Sequence, residues 1–244
     1  MGIYNKIRRL IAIKLFHKFF FLDLSEAIFS FTFDDVPNSA FTNGASILKK
    51  YGYTGTYYVS LAFFEKNGID GVYSDPKHLF EVIQDNGELA CHSFSHIHLY
   101  SSTRNQIIAD LERNQKKINE LIPNYKFTNF SYPYGEQTLP VKRFIMDKYK
   151  SARGVKMGIN YNPVDLSNLK ILPLEEGIKL ENIFLMIDKA VEERGWLIFC
   201  AHDVQKNPSE FGCSISYFES VVKYCFKKKL EVQTIRKVLE TIPD

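Results

Sequence analysis

At 244 residues, 45% of them hydrophobic and 24% charged, the chain has the length and composition of one globular domain with a large core. The net charge of +3 is concentrated: Lys6, Arg8, Arg9, Lys14 and Lys18 fall within residues 1–22, where no acid stands, which excludes a nucleic-acid footprint over the rest. The four cysteines form no CxxC pair, and the expectation is four reduced thiols in a cytoplasmic protein.

In chain order, residues 1–27 read as a basic N-terminal segment and residues 28–244 as the main domain. The apolar stretches of the first segment are cut by Lys14, His17 and Lys18, so no export signal is expected. Lys6 stands where a myristoylation motif needs a hydroxyl. Two readings stay open for residues 1–22. They form a helix capping the domain, or a basic helix in peripheral contact with the inner membrane face. Ile3, Leu10 and Ile13 intrude on its basic side, so a clean amphipathic pattern is not expected. Beyond it, strand-like runs at 28–33, 55–60, 88–92, 127–131, 171–174 and 196–201 alternate with helical patterns. The helices fall at about 42–51, 76–86, 104–122, 140–149, 181–194 and 215–228. Such alternation predicts parallel βα units, and in a barrel of them the chemistry sits at the C-terminal strand ends.

Four strand ends carry chemistry. "FSFTFDDVPNSA" (29–40) ends a strand on Asp34 and Asp35, two like charges that destabilise one another unless a cation or proton is shared. "ELACHSFSH" (88–96) offers His92 and His96, which one helical turn is expected to put on one face. Two imidazoles and one carboxylate suit a divalent ion such as Zn²⁺ and leave a coordination position open. His98 is a spare candidate, whereas His17 and His78 read as structural. "NFSYPYGE" (129–136) ends in a tight turn at Pro133-Tyr134-Gly135 that can aim backbone N–H groups at a ligand. "GWLIFCAHDV" (195–204) presents His202 at the end of a buried strand. Asp203 beside it reads equally as a capping turn residue.

TFDDVP, HSFSH, SYPYG and IFCAHD resemble, in order and spacing, the NodB-homology polysaccharide deacetylases (carbohydrate esterase family 4), over about residues 28–235. The resemblance implies a single-domain α/β fold, a distorted (β/α) barrel, and metal-dependent removal of an N-acetyl group from an amino sugar. It implies Asp34 as catalytic base, Asp35, His92 and His96 as ligands of a divalent metal (Zn²⁺ foremost), Tyr134 as an oxyanion donor through its backbone N–H, and His202 as catalytic acid. The family pattern also asks for a carboxylate that orients this imidazole, and Asp165 is the nearest match. Many members carry an arginine two positions before the proline of the turn, where it pairs with the base. This chain has Ser131 there, and Arg153 is the candidate to replace it. "DDVPNSAFTNGASILKKYG" and "ARGVKMGINYNPVDL" resemble the subset associated with cytoplasmic synthesis of surface polysaccharides. That implies a nucleotide- or lipid-linked amino-sugar substrate. A metal-dependent amidohydrolase acting on a small non-sugar amide and a non-catalytic glycan-binding barrel are the rival readings.

Overall fold

The computed structural model describes residues 3–64, 67–68, 71–72, 75–240 and 242. Of the two segments expected from the sequence, residues 1–2 of the first lie outside the described residues. So do residues 65–66, 69–70, 73–74, 241 and 243–244 of the second.

Seven parallel strands close into a barrel. They are β1 (Ile28–Asp34), β2 (Thr56–Val59), β3 (Glu88–Cys91), β4 (Asn129–Ser131), β5 (Ser151–Met157), β6 (Leu169–Pro173) and β7 (Trp196–Ala201). The wall runs in sequence order, and β7 closes on β1 in register from Trp196 opposite Ile28 to Ala201 opposite Phe33. The barrel is distorted at β1. Its lower end, Ile28–Phe29, pairs with the two-residue β8 (Glu231–Val232), and only Thr32–Asp34 pair with β2.

The period-two alternation of β1 explains its composition. Phe29, Phe31 and Phe33 point outward into the main core, where Phe31 stacks on Phe199 with ring centres 4.6 Å apart. Ser30 points inward and accepts a 3.0 Å hydrogen bond from the Trp196 indole; Thr32 donates to the Phe199 carbonyl at 2.6 Å. Asp34 is next on the inward row.

The helices α1 (Ile3–Leu15), α2 (Ser46–Lys50), α3 (Lys77–Gln84), α4 (Arg104–Leu121), α5 (Leu139–Lys148), α6 (Leu180–Glu192), α7 (Ile215–Lys227) and α8 (Ile235–Val238) surround the strands. Most were expected, and β5 was not. Its inward positions Ser151 and Arg153 face the polar barrel interior, so "SARGVKM" lacks the apolar run that marks its neighbours. All four cysteines are free and buried.

Candidate active site

At the end of β1, Asp35 and Val36 both have positive φ (55° and 49°). A β-branched residue in that region is strained, and the strain marks a chain held in place for a purpose. The turn sends the two adjacent carboxylates to different neighbours. Asp34 continues the barrel interior, and Asp35 meets the segment after β3.

That segment corrects the helical expectation. Residues 92–98 form a loop, with positive φ at Ser93 (61°) and His96 (54°). The Asp110 carboxylate holds it by accepting from the Phe94 N–H at 2.7 Å and the Ser95 hydroxyl at 2.5 Å. The two imidazoles therefore converge by loop folding and not by helical spacing. Asp35 Oδ1 lies 3.7 Å from His92 Nε2 and 3.6 Å from His96 Nε2, and one ligand atom from each residue lies within 4.8 Å of the others. His92 Nδ1 lies 2.9 Å from the Ser131 carbonyl, and its donation there frees the Nε2 lone pair. Burial, with His92 second, pushes the His96 imidazole down to about 2, which keeps it neutral. A carboxylate and two imidazoles converging in this way fit a divalent cation. His98 is not in this group; its Nδ1 pairs with Glu136 at 3.1 Å and its ring stacks on Tyr134.

Asp34 makes a buried ion pair with Arg153. The register explains it: Arg153 stands opposite Ser131 across β4 and β5, and Nη2 donates to both Asp34 Oδ1 and, at 2.6 Å, Ser131 Oγ. A serine at 131 leaves room for a guanidinium that arrives from the next strand. The Arg153 guanidinium lies 4.8 Å from the Tyr58 ring centre, a cation–π contact on its other side. Burial opposes ionisation of Asp34, but Arg153, then His92 and His202, outweigh it and hold the carboxyl well below its usual range.

Tyr134 occupies the turn after β4 with φ 55°. The turn closes through Gly135 N–H to Tyr132 O and Glu136 N–H to Pro133 O, neither of which uses the Tyr134 N–H. Gly135 (φ 62°) is required, because a Cβ there would run into Val155. His202 follows β7 and lies against Phe211, with ring centres 5.6 Å apart. Asp203 builds its own loop: its carboxylate accepts from Ser209 N–H at 2.9 Å and Gln205 Nε2 at 2.7 Å.

Asp165 does not reach His202. Its carboxylate accepts from the Lys18 N–H at 3.0 Å and the Ser167 hydroxyl at 2.6 Å and pairs with His17 Nδ1 at 2.8 Å, because Val164–Asp165 pairs with Phe19–Phe20. The carboxylate on the His202 side of the cavity is Glu175, which the sequence reading missed. Burial raises the Glu175 carboxyl, and the His202 charge opposes that. Its signal was position: "LPLEEG" ends β6 just as the other motifs end their strands.

These groups share one cavity of about 710 Å³, lined by Asp34, Asp35, His92, His96 and His202. Phe63, Val155, Met157, Ile178 and Phe211 give it apolar surface, with Phe63 beside His96 and Phe211 beside His202.

The polysaccharide deacetylase family profile matches residues 23–149, half of the chain. The chain belongs to that family. It is a family of carbohydrate deacetylases, which are metal-dependent hydrolases. Among solved structures it is similar to the Xyl-CE4 domain of a multidomain xylanase from the hindgut metagenome of Trinervitermes trinervoides (TM-score 0.64, 18% identity, 88% of this chain and 91% of that one). It is also similar to the Bc1960 peptidoglycan N-acetylglucosamine deacetylase (TM-score 0.63, 15% identity, 90% and 91% covered). A third is the family 4 carbohydrate esterase from Streptomyces lividans in complex with acetate (TM-score 0.58, 17% identity, 86% and 93% covered). At such identities the likeness speaks for the fold. No curated protein sequence matches this one.

Proposed function

We propose that the protein removes the N-acetyl group from an amino sugar of a surface-polysaccharide precursor, nucleotide- or lipid-linked, releasing acetate. The observation that carries this reading is the division between neighbouring carboxylates: Asp35 joins His92 and His96, while Asp34 is held ionised by Arg153. Asp35, His92 and His96 would hold a divalent ion, Zn²⁺ by the donor set, which would supply Lewis acidity to the attacking water and the acetamide carbonyl. Asp34 accepts the proton of the attacking water, with Arg153 fixing its orientation. The Tyr134 N–H donates to the oxygen of the tetrahedral intermediate. His202 gives a proton to the nitrogen, since an amine leaves only after protonation, and Glu175 shares its side of the cavity. The acetate held by the Streptomyces lividans esterase is the product expected here. Four free buried cysteines support a reducing, cytoplasmic setting.

The test is acetate release from a panel of N-acetylated nucleotide sugars, lipid-linked saccharides and small non-sugar amides, with and without chelator. Chelator-sensitive release from an amino sugar supports the proposal. Release confined to the non-sugar amides transfers the site to the amidohydrolase reading, and no release from any of them leaves the glycan-binding one.

A further inference from the structure

Helix α1 is docked the wrong way round for a helix of a soluble surface. Such helices turn their apolar stripe inward and their charges outward. Here the inward side is largely small and polar, with Ile13 half-buried at its edge and Phe16 packing on the core just beyond the helix. Ala12 is buried, Arg8 Nη1 donates to the Tyr100 carbonyl at 3.0 Å, and just beyond the helix Lys142 Nζ of α5 donates to the Phe16 carbonyl at 2.8 Å. The outward side carries Ile3, Ile7, Ile11 and Leu15 at four-residue intervals, with Tyr4 and Leu10 beside them. Ile3 is 78% exposed, Leu10 57% and Leu15 68%. The chain then continues to Phe21, 74% exposed. The residues that seemed from the sequence to spoil an amphipathic helix, Ile3 and Leu10, belong to this outer stripe; Ile13 is half-buried on the other side.

Charge accompanies the stripe. Lys6, Lys14 and Lys18 are exposed, and no acid occurs among residues 3–22. Lys14 rises within the stripe, where a lysine stem lies along apolar surface and lifts its ammonium to a polar boundary. Beside α1, an opening of about 450 Å³ gathers Arg8, Arg104 and Arg143 against one acid, Asp147. Apolar side chains with cations around them complement a bilayer with anionic headgroups. Among the described residues no helix is long and apolar enough to cross a membrane, so the contact is interfacial.

We infer that the outer face of α1, with Phe19 and Phe21, inserts into the headgroup region of an anionic bilayer and holds the domain there. The helix is joined to the cavity mouth. Tyr100, which accepts from Arg8, donates its N–H to Glu136 at 3.0 Å, and Glu136 pairs with His98, which stacks on Tyr134. Docking itself does not depend on the reaction assigned to the cavity.

The experiment is vesicle co-sedimentation of the full chain, using about three parts phosphatidylcholine to one part phosphatidylglycerol, against phosphatidylcholine alone. The wild type is expected to bind the mixed vesicles, more weakly as salt rises, and to bind phosphatidylcholine far less. The double variant Ile7→Glu, Ile11→Glu should bind about 100-fold less, and Lys6→Glu with Lys14→Glu about 10-fold less, with thermal midpoint and Zn²⁺ uptake unchanged. Leu10→Glu serves as the alternative, with about a 10-fold loss, should the double variant not fold. Equal binding by the apolar-face variants would overturn the inference in favour of charge-only adsorption, and absence of wild-type binding at low salt would overturn it outright. A wild-type dimer in solution that Ile7→Glu converts to monomer would assign the face to a second copy and likewise overturn it.

Discussion

The two arcs of the barrel wall contribute different chemistry to one cavity. The arc from β1 to β4 brings the cation donors Asp35, His92 and His96, and at its end the Tyr134 turn. The arc from β5 to β7 brings His202 and groups that adjust the others: Arg153 on Asp34, Glu175 on the His202 side of the cavity, and the apolar surface of Val155 and Met157. The family profile covers the first arc and ends at residue 149, just before β5. The donors are set by what a cation demands. The adjusting groups only need to deliver a charge to the right place, and a neighbouring strand can do so as well as the usual one. That is the lesson of Ser131 and Arg153.

Breaking the first arc should have the largest effect. His96→Ala is expected to lose metal and turnover together while staying folded, measured by metal content and acetate release. Retention of full metal would move the site, with His98 the first suspect. Breaking the second arc at Arg153→Ala should lower turnover by about 10- to 1000-fold, on the order of 1.4–4 kcal/mol, with metal content unchanged. Because it strands a buried carboxylate, the same change should destabilise the fold by about 3–5 kcal/mol in denaturant titration. Near-normal turnover would retire the role given to Arg153.

The pair also fixes a pH dependence. Asp34 has its carboxyl lowered in the folded state, so its contribution to stability is present above the unfolded aspartate value of about 3.9 and is lost as pH falls through the folded value. Stability of the wild type should fall below about pH 4 more steeply than that of Asp34→Asn, which has already lost the pair. Smaller still, Glu175→Gln should lower turnover by less than about 10-fold, with metal content unchanged, as read by acetate release. Asp165→Asn should be the smallest, with near-normal turnover, since its carboxylate serves Lys18, Ser167 and His17. A large loss there would reinstate it beside His202.

What was legible in the sequence follows the same division. Strands β1, β3 and β7 announce themselves because their outward residues are Phe, Leu, Ala and Cys, and their C-terminal ends run into Asp34-Asp35, His92 and His202. Strand β5 was hidden because its inward residues are Ser151 and Arg153, and its last three residues are exposed above the rim. The convergence of His92 and His96 was anticipated for a helical reason that does not hold. The positive φ angles at Ser93 and His96, with Asp110 behind the loop, do that work and leave no periodic trace. Glu175 could be found only by treating every strand end as a candidate, and Asp165 was misplaced because the pairing of residues 164–165 with 19–20 is a long-range contact.

The separate tasks of the adjacent carboxylates are tested by measuring metal content and acetate release together in Asp34→Asn and Asp35→Asn. The account predicts that Asp34→Asn keeps about one divalent ion per chain and loses most turnover, whereas Asp35→Asn loses both. Equal metal loss in the two variants would contradict it.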